Sequence, residues 1–138
     1  MAYKVGSPTQ VLSLYEWLPA DGESKVEFHS VGLDVVVRIQ FDTDIGVAVR
    51  ELRFIHACAF HIEAMPGIRG IDLASTSKNP SIGNLIEYEN SEWADAWTLH
   101  FGQRGNRSVF HHYEILFLSE NRAVSVVAKS FCLGDLVE

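Results

Sequence analysis

Six histidines offer the most obvious chemistry in this sequence of 138 residues. His111 and His112 are consecutive, and neighbouring residues of a strand point to opposite faces, so these two cannot share one metal ion. His56 and His61 also fall on opposite faces of a regular strand. A zinc site needs converging ligands at about 2 Å, and no compact Cys/His spacing in the chain provides them. The sequence therefore predicts neither a metal site nor a cofactor.

Nucleophilic catalysis is not indicated either. It requires a Ser, Cys or Thr beside a base, often on a sharp turn of the Gly-x-Ser-x-Gly type, and the sequence lacks that motif. Cys58 and Cys132 each have apolar neighbours, which predicts two unpaired and inert core thiols. The turn from Asp42 to Gly46 is similar to the start of a calcium loop, but the twelfth position holds Arg53 in place of an acid. No catalytic residue is predicted.

The segment from Glu87 to Trp97 is the most distinctive part of the chain, because it combines four acids with three aromatic residues and no base. Aromatic side chains anchor protein interfaces, and acids around them steer a basic partner. Trp97 is expected in the core with Leu99 and Phe101, whereas core periodicity does not explain Trp93. We predict a surface that binds a basic protein partner and consists of Glu87, Glu89, Glu92, Trp93 and Asp95.

Two other functions stay open at this level. The first is a small-ligand site in an aromatic pocket, with His100, His112 and Tyr113 as its polar contacts. The second is an enzyme, which would need at least two titratable groups that meet in a cleft at hydrogen-bond distance.

The charge and the composition restrict the partner and the compartment. The net charge is −7, and the chain has no stripe of Lys and Arg for a phosphate backbone, so nucleic acid is not expected as a partner. Arg104 and Arg107 lie in a Gly-containing stretch that predicts a hairpin loop. No signal peptide or bilayer-spanning segment is recognisable, which favours a cytoplasmic protein that binds no membrane. The oligomeric state does not follow from the sequence.

Periodicity predicts the elements that position these residues. Ser7-Pro8-Thr9-Gln10 has the form of a capping box and predicts a short helix from Ser7 to Leu18. Alternation from Leu33 to Phe41 predicts a strand with one buried face. The stretch 51–63 is also strand-like, with a bulge or a break near His56.

The second half continues this pattern. We predict a polar loop at 75–81, a strand at 85–89, a helical turn at 91–95 and a strand at 97–101. The segments 110–118 and 123–129 flank four polar residues and predict a hairpin. Short strands without alternating helices favour one mainly β domain over residues 1–138, an antiparallel sandwich or a flattened barrel with one short N-terminal helix.

The run from His112 to Ala128, HYEILFLSENRAVSVVA, resembles the last hairpin of small bacterial all-β proteins, some of which serve as immunity proteins in toxin systems. The resemblance covers this hairpin and the general order of the strands. It implies a non-catalytic protein that binds another protein, such as an inhibitor of a basic partner. It assigns no functional residue.

Overall fold

The computed structural model describes residues 3–64, 71–72, 83–117 and 119–138. Its strands are β1 (Tyr3–Lys4), β2 (Pro8–Ser13), β3 (Lys25–Val31), β4 (Asp34–Thr43), β5 (Gly46–Ala64), β6 (Ile71–Asp72), β7 (Asn84–Tyr88), β8 (His111–Phe117) and β9 (Arg122–Leu133), and an α-helix, α1 (Glu92–Gln103), lies between β7 and β8 in the chain. Seven strands form one antiparallel sheet in the order β2-β7-β8-β9-β5-β4-β3, and β1 pairs in parallel with β6.

The mainly β, antiparallel prediction is confirmed, but the large sheet is not closed into a barrel. Strands β2 and β3 are its two edges, and within the described residues they do not pair with each other. The predicted hairpin is confirmed as β8 and β9, in which Phe117 pairs with Arg122. No helix in the described part of the chain is both long enough and apolar enough to cross a lipid bilayer.

One side of the sheet, called the core face below, carries the main hydrophobic core. The predicted strand 33–41 contributes to it as β4, through the buried side chains of Val37, Ile39 and Phe41, although Leu33 itself lies in the preceding turn and is 70% exposed. Strands β5, β8 and β9 contribute further buried side chains to the same face. The largest of these core-face side chains are Val37, Ile39, Phe41, Leu52, Phe54, Tyr113, Ile115, Phe117, Val124 and Val126.

The chain between β2 and β3 completes this core. Leu14 and Leu18 are buried among the core-face residues. Further on, the buried carboxylate of Glu23 accepts hydrogen bonds from the backbone N–H groups of Ser119 and Glu120, at 2.7 and 3.0 Å. The connection is therefore fixed to the turn of the β8–β9 hairpin.

The opposite side of the sheet, called the helix face, packs against α1. Ala94 of the helix lies with Phe110 and with Val127 of β9 in a second, smaller core. The predicted irregularity near His56 is confirmed: the register of β5 against β9 shifts between Ala57 and Ala59, and His56 has a φ of 46°. Through this irregularity β5 directs the His56 ring against Phe110, at 5.2 Å on the helix face.

The predicted N-terminal helix is wrong. Pro8–Ser13 forms the edge strand β2, which pairs with β7 from Pro8↔Tyr88 to Ser13↔Asn84, and only Leu14–Glu16 is helical, as one 3₁₀ turn. A proline is tolerated at the first residue of an edge strand, and pairing with β7 outweighs the capping pattern. The predicted polar loop at 75–81 lies outside the described residues.

The predicted strand at 97–101 is also wrong, because these residues belong to α1. Trp93, Trp97 and Phe101 are spaced four residues apart. Residues with this spacing share one face of a helix, and they also share one face of a strand, so the pattern fits both structures. The stretch with Arg104 accordingly follows a helix and is not a hairpin loop between two strands.

Candidate functional site

The N-terminus of α1 is held in place by Ser91. Its Oγ accepts the backbone N–H of Ala94 at 3.2 Å, as an N-cap, and lies 2.7 Å from Nδ1 of His112 on β8. The hydroxyl can donate to Nδ1 while it accepts from Ala94, so the two contacts are compatible. Ser91 is 3% exposed and His112 is fully buried. This pair therefore attaches the first turn of α1 to the sheet and is shielded from substrates.

The outer side of α1 carries an open groove with aromatic walls, called the aromatic groove below. The helix contributes positions i, i+3, i+4 and i+7, and Tyr3 of β1 adds a further ring. Tyr3 stacks on Trp93 with ring centroids 5.5 Å apart, and Trp97 meets His100 edge to face at 5.7 Å. The groove encloses about 340 Å³ between Tyr3, Trp93, Ala96, Trp97 and His100.

The first turn of α1 carries two carboxylates, one of which lies beside the aromatic groove. Glu92 precedes Trp93 and is exposed, and its Oε1 accepts the backbone N–H of Lys4 at 2.8 Å, beside Tyr3. Asp95, in the same first turn, is exposed as well. Acids are favourable at a helix N-terminus because the helix dipole is positive there. The helix can thus carry Glu92 next to the groove at little cost, whereas Asp95, two residues from both Trp93 and Trp97, points to another side of the helix.

The other predicted partner-binding residues lie elsewhere. Glu87 is paired with Tyr113 in the sheet and shares its core face, where its Oε2 lies 2.8 Å from Nδ1 of His111. Glu89 lines a separate cavity of about 240 Å³ with Glu87, Thr9 and Val11. Of the five predicted residues, only Glu92, Trp93 and Asp95 lie on α1.

The residues of the predicted small-ligand site do not converge. His100 lines the aromatic groove, His112 is buried under α1, and Tyr113 lies on the core face. Burial and the nearby Glu87 raise the pKa of Tyr113 to about 12, so it remains a neutral phenol at physiological pH. A single pocket cannot use all three side chains.

The helix face also contains a buried polar network. The carboxylate of Glu114 accepts hydrogen bonds from the hydroxyl groups of Tyr88, at 3.3 Å, and Ser125, at 3.0 Å. Glu114 is 1% exposed. Buried polar groups of this kind are stable when hydrogen-bonded, and they specify how strands β7, β8 and β9 meet. The network is structural because solvent does not reach it.

The two thiols are free, as predicted, but only one is partly buried. Cys58 lies on the helix face, and desolvation raises its pKa to about 11, which suppresses the reactive thiolate. Cys132 is exposed, so the prediction that it is a core thiol is wrong. Within the residues that the structure describes, no three His, Cys, Asp or Glu side chains are grouped to hold a metal ion.

Sequence reasoning missed Tyr3, Ala96 and Trp97 as groove residues. The spacing of Trp93, Ala96, Trp97 and His100 is that of one helix face and would have revealed most of them. Tyr3 reaches the groove through a tertiary contact and has no local signal.

The aromatic groove is the site that the geometry supports best. It is open to solvent, its walls are aromatic, and it lies beside the exposed carboxylate of Glu92. Comparison of the chain with models of known protein families, with curated proteins and with solved structures found no match.

Proposed function

We propose that this chain is a non-enzymatic binding protein that recognises a basic protein partner, in the manner of an immunity-like inhibitor. The contact is made by the α1 surface, defined as the aromatic groove together with the exposed residues Glu92, Asp95 and Leu99. The observation that supports this most directly is the groove itself, in which tryptophan rings face solvent beside a carboxylate.

Aromatic residues at the centre of an interface commonly contribute most of its binding energy. Trp93 and Trp97 are only half-buried, and Leu99 is 63% exposed. Several large apolar side chains exposed on one helix favour a contact surface. A partner that covers α1 would remove these side chains from solvent.

The charge of the chain favours a basic partner. The net charge of −7 attracts cations over several ångströms, and Glu92 and Asp95 place two of the acids on α1 itself. Complementary charges of this type mainly raise the association rate and exclude partners of the wrong sign. The affinity then depends on the aromatic contacts.

An enzymatic role has weaker support. Glu87 and His111 do meet at 2.8 Å and are each about one-third exposed. The third group nearby, Tyr113, is a neutral phenol whose ring lies 6.0 Å from that of His111. In the described residues, the pair has no hydrogen-bonded nucleophile, which acyl-transfer chemistry would require.

The test is capture of the partner by the immobilised full chain from an extract of the source cell. Three baits are compared: the wild type, a Trp97→Ala/Asp95→Lys variant of the α1 surface, and Asp44→Lys, which makes the same charge change in the exposed β4–β5 turn. We expect a basic protein that the wild type and Asp44→Lys retain alike. The α1 variant should bind it at least about 30-fold more weakly, as for a hot-spot residue.

The proposal fails if no protein distinguishes the baits, or if the discriminating protein is acidic. Circular dichroism of the α1 variant establishes that its fold persists. The measured affinity should also fall with rising salt, because exposed charges are screened within about 10 Å at 0.1 M ionic strength.

A further inference from the structure

We infer that the aromatic groove receives one arginine side chain of the partner, which stacks on the indole ring of Trp97, next to Trp93, and pairs with the carboxylate of Glu92. The inference rests on the proposed function, since it names the chemistry by which the α1 surface recognises its partner.

The size and the walls of the groove suit one side chain. Tyr3 lies nearly parallel to Trp93, with 21° between the rings, and Trp97 lies at 85° to His100. Ala96, between them, contributes only a methyl group, which leaves about 340 Å³ of space. Ligand cavities range from about 300 to 1,000 Å³, so this volume is at the small end and suits one side chain.

The electrostatics of the groove favour a cation over an apolar side chain. The faces of aromatic rings are negative, and they attract a cation within about 6 Å of the ring centroid, Trp most strongly. Glu92 adds a full negative charge at the edge of the groove, where one of its carboxylate oxygens is bound to the N–H of Lys4. Among the described residues, the second oxygen accepts no hydrogen bond and can accept one from a ligand.

The protein contains an example of the same contact. The guanidinium carbon of Arg50 lies 5.1 Å from the ring centroid of Trp17. In the part of the chain that the structure describes, no Lys or Arg lies over Trp93 or Trp97 in this way. Among the described residues the groove therefore holds no cation, and its space is open to an arginine of the partner.

Arginine fits better than lysine for a geometric reason. Its planar guanidinium can stack flat on an indole ring while the N–H groups at its edge bind a carboxylate. The ammonium group of lysine is a strongly hydrated point charge and cannot make both contacts with a fixed orientation.

The test uses the full chain with ¹⁵N-labelled tryptophan and follows the indole N–H resonances by NMR. The probes are N-acetyl-arginine amide and N-acetyl-citrulline amide, which has nearly the same shape without the charge. We expect arginine to shift the Trp93 and Trp97 resonances saturably and to bind at least about fivefold more tightly than citrulline. Trp17 is the internal control, because Arg50 already covers it.

Two variants locate the contact. Ala96→Met fills the groove at an exposed helix position where methionine is well tolerated, and Glu92→Gln removes the charge but keeps an oxygen for the Lys4 N–H. Each should weaken arginine binding at least about fivefold, with the Trp17 resonance unchanged as evidence of an intact fold. Equal binding of arginine and citrulline, an equal response of Trp17, or full binding by both variants would overturn the inference.

The outcome is separable from that of the capture experiment. A partner that needs the α1 surface, in a protein that shows no preference for arginine, leaves the proposed function standing and removes only the arginine contact. Selective arginine binding by a protein whose captured partners ignore the α1 surface removes the proposed function.

Discussion

The two faces of the sheet use the same residue types differently. On the core face, Trp17 packs against Phe41, with ring centroids 5.4 Å apart, and its ring is covered by Arg50. On the helix face, Trp93 and Trp97 pack on one side against the second core; Tyr3 stacks on Trp93, and Trp97 borders the open groove. Intramolecular contacts thus cover the aromatic ring of Trp17 on the core face, whereas the aromatic residues of α1 border a groove that is open to solvent.

The largest effect that separates the two faces should be on stability. Phe54→Ala removes a side chain that is 1% exposed in the main core, and we expect the free energy of unfolding to fall by about 3–5 kcal/mol. Trp97→Ala removes a larger side chain that is already partly solvated, and it should cost roughly 1–2 kcal/mol. Urea denaturation of both variants measures this difference. Equal losses of unfolding free energy would mean that Trp97 contributes to folding as a core residue does, and not as a residue of an exposed groove.

A second prediction concerns the polar character of the helix face. Glu114→Ala leaves the buried hydroxyl groups of Tyr88 and Ser125 without the acceptor that they share. Loss of each hydrogen bond to this buried carboxylate costs about 1–3 kcal/mol, so we expect a total loss of roughly 2–6 kcal/mol. Glu114→Gln keeps an acceptor oxygen and should lose less than half as much. If the Ala and Gln variants are equally stable in urea denaturation, the hydrogen bonds to Glu114 do not stabilise the fold.

Elements with a local sequence pattern could be predicted, and elements that depend on distant pairing could not. Strand β4 and the β8–β9 hairpin have alternation and turn residues within a short stretch, and both were found at nearly their observed bounds. Strand β2 was assigned to a helix because its state depends on pairing with β7, more than seventy residues away in the chain. Local periodicity contains no information about such a pairing.

The candidate site shows the same limit. Trp93 was identified because no core pattern accounts for it, and Glu92 and Asp95 were identified from charge. Trp97 was assigned to a strand because a spacing of two residues and a spacing of four coincide in that segment. Tyr3 joins the groove through a contact between residues ninety positions apart in the chain.

The irregularity in β5 near His56 offers the smallest and most specific test. There, the carboxylate of Asp34 accepts a hydrogen bond from the backbone N–H of His56, at 2.9 Å, and another from Nε–H of Arg53, at 2.7 Å. These contacts lower the pKa of Asp34 below its ordinary value of 3.8, with the backbone hydrogen bond as the largest cause. They also hold His56 in a left-handed conformation that is unfavourable for a residue other than glycine.

The pH dependence follows from the direction of this shift. A carboxyl with a lowered pKa in the folded state contributes stability that is complete above its unfolded pKa and is lost as the pH falls through the folded value. We therefore expect Asp34→Asn to melt at a lower temperature than the wild type at pH 6. The difference should shrink as the pH falls below about 3.8. Asp44→Asn, in the exposed β4–β5 turn, controls for the change in net charge. A difference in melting temperature between the wild type and Asp34→Asn that stays constant from pH 6 to pH 2 would contradict this. It would show that the ionised carboxylate does not stabilise the irregularity in β5. The orientation of His56 towards α1 would then need another cause.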